Sequence, residues 1–500
     1  MIKKHIIHLC ALLALGGGFS SCYKDDSVES TRPLSSITLA DGATIADSYT
    51  ADFGQEFVLN APDVKQAHET FPLTYRWEIY PPTTKESQGA RFLPQIQTSR
   101  ELRLPLNIYG TYDVNLHISN ADNTYIKRFK VVVPTAYGVG LYALLNRSGK
   151  PEIGYIPAAG YDSSKESETY KEGLQLNNPV AGSFAGFLAA PSSIASFQNL
   201  QDRYITLTLV DGNTYLLNAN TMQVLLRDPF KAAEGEATLV SLYSGSFRGI
   251  IRNGQFYSYQ SSSYFYARRP RGQYLVDQRY PGTLFSAQSV IATTALGDAA
   301  VLYDETRGVL FLMQAANFFR YQPTSSNLGS DASYRKWQDG KLSAMASYGE
   351  RNHVALLMQS KTNAANFFLA RFSFASGTRT EPIAFAGLQD IPSTLGIDAS
   401  SRIASHRDIL YLSAGHQIYA YVAGSTSFPT SPLITLPQGQ RVVQMLTRVD
   451  GSNTYLYIAT TDGTTSSIYY YDVTSGSTSS QVWAKTGIAG KILNIDFRLS

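Results

Sequence analysis

Apolar and polar residues alternate along most of this chain in short runs, and turn-forming residues separate the runs. A period of two is that of strands with one buried face, and no sustained 3.6-residue repeat marks a helical architecture. The first runs are ITL at 37–39, EFVLNAP at 56–62, LTYRWEIY at 73–80, LRLPL at 102–106, GTYDVNLHISN at 110–120 and YIKRFKVVVP at 125–134. Ala121, Asp122 and Asn123 between the last two predict a hairpin turn. Short strands at this density predict a β-sandwich over residues 37–135. Trp77 is expected to lay one large ring across its core. Tyr112, two residues after Gly110, stands where a tyrosine corner is expected.

From Tyr137 onward the alternation is organised in hairpins. They read GLYALLNRSGKPEIGYI, RYITLTLVDGNTYLLNA, FRGIIRNGQFYSY, GVLFLMQAANFFRY, HVALLMQSKTNAANFFLARF, DILYLSAGHQIYAYV and TYLYIATTDGTTSSIYYYDV. Their second strands are expected to start near Ile153, Tyr215, Phe256, Phe318, Phe367, Ile418 and Ile468, with separations of 62, 41, 62, 49, 51 and 50 residues. A strand of small residues precedes several of them, as in LSAMASY at 342–348, SRIASH at 401–406 and RVVQMLTR at 441–448. Three strands and a variable outer one, repeating at about 50 residues, give the period of a propeller blade. The expected fold is therefore all-β: a sandwich followed by a seven-bladed β-propeller over 136–500. KILNIDFRL at 491–499 is expected to close the ring by pairing with an early blade, which removes free sheet edges. An outer-membrane barrel also alternates, but the repeat of strand triplets argues against it.

Composition agrees with strands: 33 Tyr and 24 Phe stand against 3 Trp, and only 16% of residues are charged. A formal charge of +3 gives no sign of a nucleic-acid or polyanion binder. The N-terminus adds a different element. Lys3 and Lys4 precede an apolar run at 6–15 and small residues at 16–21, the pattern of an export signal, and the run is shorter than the about 20 residues of a membrane-spanning helix. Cys10 lies inside the signal and Cys22 just after it. A chain without residues 1–21 would hold no cysteine for a disulfide framework or a thiolate nucleophile apart from Cys22.

Phe19-Ser20-Ser21-Cys22 resembles a bacterial lipobox, which implies that Cys22 is acylated and anchors the chain, with 22–36 as a tether. YRWEIY followed by GTYDVNLHISN resembles the PKD-type immunoglobulin-like domains of extracellular proteins. Lipobox, PKD-like domain and propeller together are similar to the PKD-like lipoproteins of Bacteroidota. That resemblance implies attachment to the outer membrane, often beside a TonB-dependent transporter and its surface lipoprotein partner. It also implies that Lys24, Asp25 and Asp26 form a surface-export tag. It implies no specific ligand.

No catalytic constellation is expected. His68, His117, His353, His406 and His416 show no HxxxH spacing, so no metal site and no cofactor are predicted. Asp304-Glu305-Thr306-Arg307, Glu350-Arg351-Asn352-His353 and His406-Arg407-Asp408 are expected at equivalent turns of three blades. SDASYRKW at 330–337 lacks the glycine of a sialidase-type box. Asp211-Gly212 and Asp450-Gly451 read as turns rather than calcium loops. One stretch carries a binding expectation. FYSYQSSSYFYARRPRGQYLVDQRY, in the 62-residue gap before Phe318, interleaves Tyr264, Tyr266 and Tyr274 with Arg268 and Arg269. Tyrosine faces suit sugar rings or peptide side chains, and arginines suit carboxylates or sulfates. A second insertion, 157–201, is expected to add a loop over the same pore mouth. The leading expectation is a non-catalytic surface lipoprotein that binds a glycan or a peptide for an uptake system. The alternatives are a propeller hydrolase or lyase with unrecognised catalytic residues, and a scaffold that docks a transporter.

Overall fold

The computed structural model describes residues 32–52, 54–82, 94–108, 110–134, 137–172, 190–199, 202–210, 213–219, 222, 224–228, 240–244, 247–252, 254–259, 274–276, 285, 286, 288, 290–294, 297–313, 318–374 and 382–498. The chain divides into two compact units, Met1–Pro134 and Thr135–Ser500.

In the first unit a five-stranded sheet runs in the order Ser48–Thr50, Thr124–Val133, Gly110–Ser119, Thr74–Tyr80, Gln95–Gln97. Glu56–Asn60 pairs with Glu101–Pro105, and Ile37–Leu39 with Val64–Gln66. Alternation explains the layers: Trp77 and Ile79, Val114, Leu116 and Ile118, and Phe129 and Val131 turn inward from the large sheet to meet Leu102, Leu104, Phe57 and Leu59. Trp77 is fully buried, donates its indole N–H to the Ser99 carbonyl at 2.8 Å and meets Phe129 edge-on. Tyr112 is buried, and its hydroxyl oxygen accepts the Ile108 N–H at 3.0 Å. The hairpin turn at 120–123 forms because Asn120 Oδ1 accepts the N–H groups of Asp122 and Asn123. The strands Ser48–Thr50, Val64–Gln66 and Gln95–Gln97 were not foreseen, because three residues are too few to show alternation.

In the second unit the described residues form seven sheets. In chain order, the second holds Pro191–Asn199, Asp202–Leu209, Thr214–Asn218 and Val224–Asp228, and the third Val240–Ser244, Phe247–Arg252, Gln255–Tyr259 and Tyr274–Val276. The fourth holds Val290–Thr294, Gly297–Asp304, Val309–Met313 and Phe318–Tyr321, and the fifth Gly340–Tyr348, His353–Ser360, Phe367–Phe374 and Ile383–Ile391. The sixth holds Ile403–His406, Ile409–Ala414, Gln417–Val422 and Ile434–Thr435, and the seventh Arg441–Asp450, Asn453–Thr461, Thr465–Asp472 and Ser480–Ala489. Each is an antiparallel meander. The first sheet differs, because its Gly140–Arg147 and Lys150–Pro157 hairpin is completed by the last strand of the chain, Lys491–Arg498, antiparallel to Gly140–Arg147.

The first strand of each sheet touches the first strand of the next, from Pro191–Asn199 around to Lys491–Arg498, which in turn touches Pro191–Asn199. This closed circuit is a β-propeller. Apolar layers fill the space between successive sheets, which is why VLFLM at Val309–Met313 is buried at every position. In Phe367–Phe374, Phe368, Ala370 and Phe372 face the fourth sheet while Phe367 and Leu369 face the sixth. Polar side chains tie the inner strands together. Ser405 Oγ donates to the Ser347 carbonyl, and Thr447 Oγ1 to the Ser405 carbonyl at 2.6 Å. The Ile495 N–H donates to Gln444 Oε1 at 2.6 Å.

Three expectations need correction. The hairpin expected around Phe318 is out of phase: Val309–Met313 and Phe318–Tyr321 are the third and fourth strands of their sheet, not the second and third. The two AANFF segments therefore occupy different places, the first between third and fourth strands and the second ahead of a third strand. The strand missed was Gly297–Asp304, GDAAVLYD, whose small residues gave a weak signal. The 62-residue gap was in part this phase error, since the strand equivalent to Gln255–Tyr259 begins at Val309. The polar turns are not all equivalent either. Residues 350–352 and 407–408 join first to second strands, whereas 305–308 joins second to third at the opposite rim. Finally, the described parts of the 157–201 insertion take other places than a loop over the pore mouth: Pro191–Asn199 is the inner strand of the second sheet, and 173–189 lie outside the described residues. Lys171 bridges to Tyr155 as a rudimentary fourth strand on the outer edge of the first sheet, and Glu166 there pairs with Lys485 of the seventh.

The segment SDASYRKW forms a helix, Asp331–Asp339, before the fifth sheet. Ser330 Oγ caps it by accepting the Ser333 N–H at 3.1 Å, and buried Trp337 donates to the Gly308 carbonyl at 2.8 Å. Its tryptophan is a packing anchor between the fourth and fifth sheets, against Tyr303 and Phe372.

Candidate functional site

In a meander the first-to-second and third-to-fourth connections lie at one rim. That rim collects the polar features of the described residues between the fifth and sixth sheets. The turn after Gly340–Tyr348 holds three successive left-handed residues, Gly349 at φ 57°, Glu350 at 58° and Arg351 at 69°. Left-handed backbone costs a non-glycine residue about 1–2 kcal/mol, so this turn is strained at two positions. The Gly349 N–H donates to the Arg407 carbonyl at 2.8 Å, joining it to the equivalent turn of the sixth sheet, where Arg407 is itself left-handed at φ 50°.

Beside these turns Tyr348 and His353 lie ring against ring, with centroids 5.0 Å apart. Arg371, on the third strand of the fifth sheet, follows Phe367 and Leu369 in alternation and so points toward the sixth sheet, where an apolar residue is the rule. Its guanidinium bonds the Tyr348 hydroxyl and stands near that of Tyr421. Burial pushes both phenols above their ordinary pKa, and the adjacent guanidinium pulls them back. Tyr421 stacks on Phe428 at 4.3 Å, with its hydroxyl at the Ser425 carbonyl and Gln389 Oε1.

A second aromatic group lies between the seventh and first sheets. Tyr455, Tyr470, Tyr457 and Phe497 stack nearly parallel, with neighbouring centroids 5.0, 4.2 and 5.6 Å apart, and the Arg448 guanidinium lies 4.4 Å over Phe497. Tyr457 and Tyr470 are buried, so this stack seals the closing strand against the seventh sheet rather than presenting a platform. In the first unit a shallow depression of about 520 Å³ is lined by Asn60, Pro62, Asp63 and Arg100, the last two paired with each other.

The residues singled out in the sequence fall mostly elsewhere. Cys22, Lys24, Asp25, Asp26, Tyr264, Tyr266, Arg268 and Arg269 lie outside the described residues. The backbone of Tyr274 opens the fourth strand of the third sheet opposite Tyr259, so residues 260–273 connect third and fourth strands. His117 is a half-buried strand residue with Nε2 3.5 Å from Glu78. Among the described residues no group of three or more His, Cys, Asp or Glu could hold a metal ion. Arg371 was missed, although a cation in register with Phe367 and Leu369 in FFLARF was a visible signal.

No family profile and no curated protein matches the chain. Among solved structures it is similar to a quinoprotein alcohol dehydrogenase-like protein from Bacteroides thetaiotaomicron, at 11% identity over 92% of this chain and 99% of the other, with a TM-score of 0.38. It is similar also to Sqt1 of Saccharomyces cerevisiae, at 12% identity over 72% and 88% with a TM-score of 0.41. A third is the Cps50 (Swd1) β-propeller domain of Myceliophteria thermophila, at 14% over 60% and 86% with a TM-score of 0.36.

Proposed function

We propose that this chain is a non-catalytic lipoprotein of the outer surface, held by an acylated Cys22 and carrying a PKD/Ig-like sandwich and a seven-bladed propeller. It captures a glycan or a peptide beside a TonB-dependent transporter. The observation that carries the reading is Phe19-Ser20-Ser21-Cys22 directly after the Lys3–Lys4 and apolar run, with Lys24, Asp25 and Asp26 following. An acyl chain contributes about 0.8 kcal/mol per buried CH₂, so a multiply acylated cysteine holds stably to a bilayer. The closed ring supports the reading from the other end, because it offers a rigid platform whose rim connections vary in length. Tyr264, Tyr266, Arg268, Arg269 and Tyr274 belong to or flank the long connection of the third sheet, and we assign them to ligand contact.

Metabolic labelling with an azido-palmitate, on wild type and on Cys22→Ser, tests the anchor, and protease treatment of intact cells tests the orientation. Label lost in the variant and digestion of intact cells are expected. Label retained without the cysteine, or protection until the outer membrane is opened, overturns the corresponding part. Glycan-array and peptide binding by a Tyr264→Ala, Tyr266→Ala, Tyr274→Ala variant tests the site, and unchanged binding makes that connection structural.

A further inference from the structure

We propose that the notch between the fifth and sixth sheets at Arg371 is a binding site for a carboxylate group. Its chemistry goes beyond the reading above and does not depend on the lipid anchor.

Four observations converge on Arg371. First, its side chain points into an otherwise apolar layer, yet no carboxylate of the described residues forms an ion pair with it. Second, its Nε is buried and, among the described residues, has no hydrogen-bond partner, while the one group there that the guanidinium bonds is a neutral phenol, that of Tyr348. Arg371 is half-buried, a cation drawn partly out of water without a counter-charge carries a cost, and an Arg fork matches a carboxylate with two parallel N–H···O bonds. Third, the backbone makes room for it. Opposite Arg371 the fifth sheet carries a bulge at Gly387, with φ 144°, and a Cβ there would lie 2.8 Å from Nη2. Gly424 of the sixth sheet, with φ 92°, would bring a Cβ to 3.1 Å from Nη1. One glycine from each sheet thus keeps the guanidinium clear, and bulges of this kind re-aim side chains next to sites. Fourth, the strained turn at Glu350 and Arg351 lies at the same rim, joined through Gly349 to Arg407.

Asp408 acts on Tyr348 electrostatically, and among the described residues it forms no ion pair with Arg371. The notch therefore holds a positive group between two tyrosine hydroxyls, Tyr348 and Tyr421, with the Gln389 amide beside the second. A carboxylate seated there would take the guanidinium fork and a phenol donor at once. An acidic sugar unit and a short acidic peptide both carry that group.

The test is calorimetric titration of the detergent-solubilised full chain with sodium D-glucuronate, sodium N-acetylglycinate and neutral D-glucose. Saturable binding of at least one carboxylate, and none of glucose, is expected. Preference for glucuronate would assign the sugar source and preference for N-acetylglycinate the peptide source. Arg371→Met is expected to weaken binding by at least about tenfold, the scale of a charge-assisted pair. Arg335→Met, at an exposed helix position, is expected to leave it unchanged. Gly387→Ala provides a second variant should Arg371→Met fail to fold, and it too is expected to weaken binding. Failure of the wild-type chain to bind either carboxylate, binding of glucose as tight as glucuronate, or equal affinity in a folded Arg371→Met or Gly387→Ala chain would overturn the proposal.

Discussion

Asn494, on the closing strand, exchanges two hydrogen bonds with the backbone of Ile194, 300 residues earlier: its Nδ2 donates to the Ile194 carbonyl at 2.8 Å and its Oδ1 accepts the Ile194 N–H at 3.2 Å. One side chain thus joins the inner strand of the first sheet to that of the second at the point where the ring must close. Asn494→Ala leaves both backbone groups of a buried residue without this partner, at about 1–3 kcal/mol. Urea unfolding of the variant is expected to show a lower midpoint with an unchanged slope. A midpoint equal to wild type would mean that strand pairing with Gly140–Arg147 alone carries the closure.

Much of this arrangement was legible. The closing strand, Lys491–Arg498 in the structure, and six of the hairpins fall where alternation puts them, because a strand buried against one neighbour per face still starts and stops at turn residues such as Ser148-Gly149 and Asp450-Gly451. The fourth sheet was read out of phase because alternation marks a strand but not its rank within a meander. AANFF offered a false anchor, and GDAAVLYD offered little β-branched signal. The Asp331–Asp339 helix was missed since nine residues with one buried position make a faint 3.6 period. The Arg371 notch was least legible, because Gly387 and Gly424 acquire meaning only once two sheets bring them to one guanidinium.

The first unit depends on a local device. The Tyr112 hydroxyl accepts the Ile108 N–H four residues upstream, while its ring fills the core beside Val114 and Leu116. Tyr112→Phe keeps the ring and removes only the acceptor, so the effect isolates the hydrogen bond at about 1–2 kcal/mol. Leu102→Ala, a fully buried position in the same core, is expected to cost more, about 2–5 kcal/mol, by opening a cavity. Thermal unfolding that ranks the two variants in the reverse order would contradict this account of the core.

The turn at 349–351 yields a prediction of opposite sign. Arg351 sits at φ 69° without the freedom of glycine, and removing its Cβ relieves about 1–2 kcal/mol of backbone strain. The greater entropy of glycine in the unfolded chain offsets part of that, about 0.5–1 kcal/mol. Arg351→Gly is therefore expected to leave stability unchanged or raise it by up to about 1.5 kcal/mol, unlike most substitutions. Denaturant midpoints decide: a clear loss would show that the Arg351 side chain makes contacts that outweigh the strain.

His406 ends the inner strand of the sixth sheet next to Arg407, and burial first, then the Arg407 charge, hold its pKa below the ordinary 6.5. In the unfolded chain the imidazole takes up its proton at the ordinary value, whereas in the folded chain it resists until lower pH. The unfolded state therefore binds more protons in the interval between the two values, and acid favours unfolding there. The stability contributed by neutral His406 is present above pH 6.5 and is lost as the pH falls through the depressed folded value. His406→Gln cannot titrate, so its unfolding midpoint is expected to fall less than that of wild type between pH 7.5 and the onset of carboxylate protonation at about pH 4–5. Parallel pH profiles for the two chains would show that His406 is as readily protonated in the folded ring as outside it.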